Sequence, residues 1–134
     1  MKFSTRTTYG LRAIAQLAKN YKKGESMSLP SIAESENISL SYLERIFSRL
    51  KKANLVVSEK GMSGGYKISS DPKKINVFEI IEVLEGKIVV FHCLNKKGKN
   101  LCSSSNKCSA SFVLSKVQKA VMETLKKIAL NDLI

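Results

Sequence analysis

Two short β-type runs, Leu55-Val56-Val57-Ser58 and Tyr66-Lys67-Ile68-Ser69, flank seven residues that carry three glycines, Glu59-Lys60-Gly61-Met62-Ser63-Gly64-Gly65. Such a turn can take positive φ and reads as a hairpin. What precedes it is helical. Leu11, Ile14, Leu17, Ala18 and Tyr21 recur at helical spacing over about 4–21, and Lys22-Lys23-Gly24 stops that run. Ser28-Leu29-Pro30 opens a second, shorter helix to about Glu36, with Pro in the first turn where its missing N–H costs nothing. After a tight Asn37-Ile38 turn, Ser39 or Ser41 caps a third helix, and Ser41 to Glu44 fits a capping box. The apolar stripe of that helix is Leu40, Leu43, Ile46, Phe47 and Leu50.

Three helices followed by a Gly-tipped hairpin is the order of a winged helix-turn-helix, in which the third helix enters the major groove and the wing lies along the backbone or in the minor groove. The stripe leaves Ser41, Glu44, Arg45, Ser48 and Arg49 pointing away from the core. That set offers a carboxylate for cytosine N4–H, guanidinium forks for guanine or phosphate, and hydroxyls for either. Only four of the 23 basic residues are Arg, and two fall on this helix, where a planar fork is not equivalent to a point charge.

A formal net charge of +12 points to a polyanionic partner, although Lys-rich usage of this kind also follows from an AT-rich genome. Residues 1–86 carry 14 basic and 9 acidic groups, and 87–134 carry 9 and 2. The length predicts one domain, with neither repeat nor long linker. The longest apolar run, Ile88 to Phe91, is far short of the ~20 residues that span a bilayer, and the start lacks a signal-peptide stretch, so a cytoplasmic protein is expected. Neither a P-loop nor a catalytic set built on the single His appears, which argues against an enzyme.

Beyond the hairpin, Asn76 starts a fourth helix that Gly86 ends, and Ile88–Phe91 reads as a strand or extended segment. Residues 92–108 are polar, rich in Lys and Ser, and read as loop. A long amphipathic helix from Ser109 to Ala129 then carries Phe112, Val113, Val117, Val121, Leu125 and Ile128 on one side. The loop holds all three cysteines, Cys93, Cys102 and Cys108, with eight and then five residues between them. Zinc sites prefer Cys pairs two to four apart, and a disulfide with one spare thiol is awkward in a reducing compartment. Three thiolates on one loop can instead wrap an iron–sulfur cluster, whose anionic charge Lys96, Lys97, Lys99 and Lys107 would partly offset. Spacing alone leaves these readings open.

The stretch from Ile38 to Leu50 resembles the recognition helix of the Rrf-type winged-helix regulators, with the iron–sulfur regulator IscR nearest in that helix. The wing Lys60-Gly61-Met62-Ser63-Gly64-Gly65-Tyr66, the start Ser4-Thr5-Arg6 with Tyr9-Gly10-Leu11-Arg12, and the end Leu130 to Ile134 are also similar, so the resemblance covers the whole chain. It implies a mainly α, homodimeric regulator that binds a two-fold DNA operator and takes no small-molecule substrate. It also implies residues 1–86 as the DNA-binding region and 87–134 as sensing loop and dimerisation helix. The residues implied at the DNA are Ser39, Ser41, Tyr42, Glu44, Arg45, Arg49, Lys60, Ser63, Gly64, Gly65 and Tyr66. For metal, the resemblance implies a cluster on Cys93, Cys102 and Cys108, as in IscR, the nitric-oxide sensor NsrR and the iron regulator RirA. A 2Fe–2S cluster is expected, with 4Fe–4S as the alternative. The chain departs from the pattern at the fourth ligand: the IscR histidine position is Ser111 here, and the partner-subunit aspartate position of some NsrR proteins is Thr8. His92, the only His, is one candidate fourth ligand, beside a carboxylate from the partner subunit or an exogenous ligand such as water or a low-molecular-weight thiol. The alternative is a cluster-free, thiol- or metabolite-responsive regulator, as in the cysteine regulator CymR.

Overall fold

Helix α1, Thr5–Lys19, begins after Ser4, whose backbone is extended and whose side chain does not cap the helix but turns to Glu85. It buries Ala13, Ile14, Leu17 and Ala18 and gives way to a 3-10 turn, Tyr21–Lys23, that stops on Gly24 at φ 66. The computed structural model describes residues 2–61, 64–89 and 108–134. Ser28 caps α2, Leu29–Glu36, by accepting from the Ser31 N–H at 3.3 Å. Asn37, left-handed at φ 54, turns the chain toward α3, Leu40–Lys52.

Of the two possible caps of α3, Ser39 takes the role and accepts from the Tyr42 N–H at 3.3 Å. Ser41 already lies inside the helix, so the capping box read between Ser41 and Glu44 is not the one that starts it. Leu40 also departs from expectation. It is 40% exposed, because the stripe that reaches the core begins one turn later, at Leu43, Ile46, Phe47 and Leu50. Each of these four fully buried side chains contributes about 1.5–3 kcal/mol by leaving water.

Strand β1, Val56–Glu59, pairs antiparallel with β2, Gly65–Ile68, from Val56 opposite Ile68 to Glu59 opposite Gly65. Both strands sit one residue off the runs read from sequence, since the Leu55 N–H is spent on the Leu50 carbonyl that closes α3. A single residue, Met27, adds a third edge by exchanging two hydrogen bonds with Tyr66, at 3.0 and 2.8 Å.

Asn76 caps α4, Val77–Glu85, which Gly86 ends at φ 87. Ile88 is buried, but neither it nor Val89 joins a strand; Val90 and Phe91 lie outside the described residues. Helix α5, Ser109–Lys127, ends before Ile128 and Ala129, which run extended beside Ile75–Val77. Leu130, in a closing 3-10 turn, is fully buried in the same core as α1, α3 and α4. The end of the chain is thus built into the body that carries the hairpin.

The stripe on α5 divides. Val121, Met122, Leu125 and Ile128 pack on a second cluster of Val77, Phe78, Ile81 and Ile88. Phe112, Val113 and Val117 stay 65%, 56% and 40% exposed. Gln118, buried between these two regions, donates to the Ile88 carbonyl at 2.6 Å. Among the described residues, no helix is long and apolar enough to cross a membrane.

Candidate nucleic-acid interface

Helix α3 is strongly amphipathic. One face is locked into the core, and Ser39, Ser41, Glu44, Arg45, Ser48 and Arg49 are exposed on the other. Arg49, Lys51 and Lys52 occupy the last turn, where cations oppose the negative end of the helix dipole. Tyr42 is only half exposed. Its ring meets Tyr9 edge-on at 5.7 Å and its hydroxyl lies 3.2 Å from the Thr5 Oγ1, so it ties α3 to the start of α1.

Beside α3, a cleft of about 310 Å³ is bounded by Arg6, Tyr42, Arg45, Ile46 and Arg49. The fourth arginine has a different job. Arg12 pairs with Glu36 at 2.9 Å, donates to the Glu36 carbonyl at 2.5 Å, and so fastens α1 to the end of α2. Gln16 joins the same carboxylate.

The wing is held to this surface rather than hung from it. The Tyr66 ring packs on Phe47, a buried residue of α3, with centroids 5.0 Å apart. Gly64 and Gly65 lie where side chains would collide with backbone: a Cβ on Gly64 would be 2.8 Å from the Glu59 and Gly61 carbonyl oxygens. At the wing base Lys67 pairs with Glu59 at 2.5 Å. Hydrogen bonds from Lys67 and then Ser26 hold the Glu59 carboxyl below its ordinary range. Lys60 is exposed one residue further on and forms no ion pair among the described residues. Ser63 lies outside the described residues.

A second polar knot stands at the far end of α4. The Oε1 of Glu85 accepts from the Ser4 N–H at 2.6 Å, the Ser4 Oγ at 2.5 Å and the Thr7 Oγ1 at 2.6 Å. Burial pushes the Glu85 carboxyl up, but the hydrogen bonds from Ser4 and Thr7, with Arg6 nearby, outweigh it and leave the group below its ordinary value.

Cys108 stands exposed at the position before α5, with its thiol free and its carbonyl accepting from the Ser111 N–H at 3.2 Å and hydroxyl at 2.8 Å. The Ser111 hydroxyl therefore closes the first turn of α5 at the position where the resemblance implied a fourth ligand. Thr8 is exposed on α1. His92, Cys93 and Cys102 lie outside the described residues.

Comparison with known proteins decides which family carries this geometry. The family profile described as "Iron-dependent Transcriptional regulator", Rrf2, matches residues 3–134. The chain belongs to the Rrf2 family. It is 32% identical to the transcriptional regulator IscR of Cronobacter sakazakii over all 134 residues, which is 80% of that protein. To CymR of Bacillus subtilis it is 47% identical over 88 residues, 66% of this chain and 63% of that one. The solved structure of CymR, titled the global cysteine regulator of B. subtilis, superposes with a TM-score of 0.82 at 35% identity, covering 99% of this chain and 95% of that one. An Rrf2 chain with this fold is a transcriptional regulator and not an enzyme, and it carries the winged-helix DNA-binding architecture read from the sequence.

One residue of the cleft is not among those assigned from the sequence. Arg6 lines the cleft with Arg45 and Arg49. Its signal was present: in a chain that prefers Lys, four Arg positions stand out, and only two of them were assigned.

Proposed function

We propose that this protein is a homodimeric repressor or activator that reads a two-fold operator with α3, under control of the cysteines of residues 92–108. The observation that carries the reading is α3 itself, with Leu43, Ile46, Phe47 and Leu50 buried and Ser39, Ser41, Glu44, Arg45, Ser48 and Arg49 exposed beside a wing. Glu44 and Arg45 reach base edges. Lys60 at the wing base meets phosphate, while Gly64, Gly65 and Tyr66 hold the wing at the depth the groove requires. Dimerisation uses the exposed part of α5 at Phe112, Val113 and Val117, an apolar strip that this protomer leaves uncovered. Residues 1–86 then serve DNA and 87–134 serve sensing and assembly.

The preferred sensor is an iron–sulfur cluster held by Cys93, Cys102 and Cys108, of the 2Fe–2S type before 4Fe–4S. Cys108 suits the role, with an exposed thiol at the residue preceding a helix. The fourth ligand comes from His92, the partner or solvent, since the Ser111 hydroxyl serves the helix start. When bound, the cluster supplies a group that reacts with oxidants and nitric oxide. The chain's own part is to transmit what happens between its fixed ends. The segment leaves from Ile88, pinned by Gln118, and returns at Cys108. Glu85, just before that exit, grips the first turn of α1 and thereby the side of α3.

A second reading has its own observation: the likeness to CymR, a cysteine regulator by its title, spans nearly the whole chain. In that case the cysteines act as thiols or the segment answers a metabolite. Anaerobic native mass spectrometry with an absorption spectrum separates the two. The cluster reading predicts dimer mass plus iron and sulfide, and complete loss of visible absorption in each of Cys93→Ala, Cys102→Ala and Cys108→Ala. A metal-free dimer from anaerobic, iron-replete cells would sink it in favour of the second.

A further inference from the structure

Arg6, Arg45 and Arg49 all line one cleft of about 310 Å³. Among the described residues none of the three forms an ion pair. Glu85 lies near Arg6 and offsets part of its charge while its Oε1 is spent on Ser4 and Thr7; the like charges that remain around the concavity repel one another, and an anion in the cleft relieves that cost. The walls are fixed. Arg45 and Arg49 are one turn apart on α3, and Tyr42 is tied to Thr5 at 3.2 Å. Arg6 belongs to the first turn of α1, and Ser4 and Thr7 on either side of it are both held by Glu85.

We propose that this cleft is a phosphodiester-binding site for the DNA backbone, with Arg6 as its third cationic ligand and Glu85 as the residue that positions it. The assignment rests on the operator-binding reading above and deepens it. An α-helix with its side chains is about 10–12 Å across, and the major groove is about 12 Å wide, so phosphates line the flanks of any helix seated there. The cleft lies on such a flank, between α3 and the N-terminal turn of α1. That turn adds the positive end of a helix dipole, which favours phosphate. Arg49 therefore serves the backbone, while Arg45, nearer the start of α3, is shared between backbone and base.

The test is a set of anisotropy titrations of the full chain on a 26-bp mixed-sequence duplex, between 50 and 200 mM KCl. One lost phosphate contact lowers the slope of log K against log salt by about 0.9, which is about 3.5-fold over this range. Arg6→Gln is expected to lose that much slope and Arg6→Lys to retain it. Lys23→Gln, beyond the opposite end of α1, is expected to leave it unchanged. Melting curves of each variant check that the fold is intact, and Arg6→Lys remains decisive if Arg6→Gln is poorly folded. An unchanged slope in well-folded Arg6→Gln overturns the assignment alone. Failure of the wild-type chain to bind any duplex overturns both this site and the operator reading. Inorganic phosphate is the remaining arm. At constant ionic strength it is expected not to displace the duplex, and saturable displacement that requires Arg6 would give the cleft to a free anion instead.

Discussion

Replacing Gly65 by Ala places a methyl group where the chain already runs. Its Cβ would lie 2.5 Å from the Met27 carbonyl carbon, 2.9 Å from the Ser28 nitrogen, and closer still to the Met27 oxygen. All three are backbone atoms, so no side chain can swing aside. The bridge between Met27 and Tyr66 must open, losing hydrogen bonds of 3.0 and 2.8 Å. Those two bonds are worth about 1 kcal/mol each net, and residual overpacking adds about 1–3 kcal/mol. The loss of unfolded-state freedom returns about 0.4–1 kcal/mol. The expected cost is about 2–4 kcal/mol, or a fall in Tm of roughly 5–15 °C. Gly24→Ala is the control. At φ 66 with nothing within 4 Å, it meets only backbone strain of about 1–2 kcal/mol. Because Tyr66 packs on Phe47 of α3, the Gly65 variant should also weaken DNA binding at a temperature where it is still folded. A Gly65→Ala protein as stable as wild type in urea and thermal unfolding would refute the packing explanation for this glycine and return it to direct contact with DNA.

Glu85→Gln should destabilise by about 1–3 kcal/mol at pH 7, since three donors converge on one charged oxygen. The carboxyl lies below its ordinary value of 4.5, so its stabilisation is present above that value and is lost as pH falls through and below it. The gap between wild type and Glu85→Gln, followed by urea unfolding, should therefore shrink toward pH 3; a gap that does not change would mean packing rather than charge. Val113→Glu with Val117→Glu should give monomers by analytical ultracentrifugation with little change in protomer stability, because both side chains are exposed. A dimer surviving both changes would place the interface elsewhere.

Caps and stops were plain in the sequence because they act within a few residues. Ser28 and Asn76 start helices, and Gly24 and Gly86 end them. The choice between Ser39 and Ser41 was not plain, since either hydroxyl satisfies the local pattern and only the entry angle of the chain separates them. Met27 gave no signal, because a single bridging residue has no periodicity to betray it. Gln118 occupies a polar position in a helical pattern, yet it is buried and fixes Ile88. Leu130 follows the last helix and fills the main core, a contact 50 or more residues from most of its neighbours. Periodicity identified the apolar face of α5 but could not divide it into the part packed on Phe78 and Ile81 and the part left open at Phe112 and Val113. The resemblance implies the wing glycines Gly64 and Gly65 at the DNA, and the structure adds protein backbone neighbours that a side chain at either position would meet.

If α3 reads base sequence, one ratio of affinities reveals it. A duplex selected by the protein from a random pool, and an unselected mixed-sequence duplex, are titrated at one salt concentration with wild type and Arg45→Ala. A guanidinium that contacts a base edge is worth about 1–3 kcal/mol of discrimination, or roughly 5- to 150-fold. A loss of that size is expected on the selected duplex and a clearly smaller one on the mixed duplex. Equal losses on both would contradict it and leave α3 as a helix that only grips phosphate.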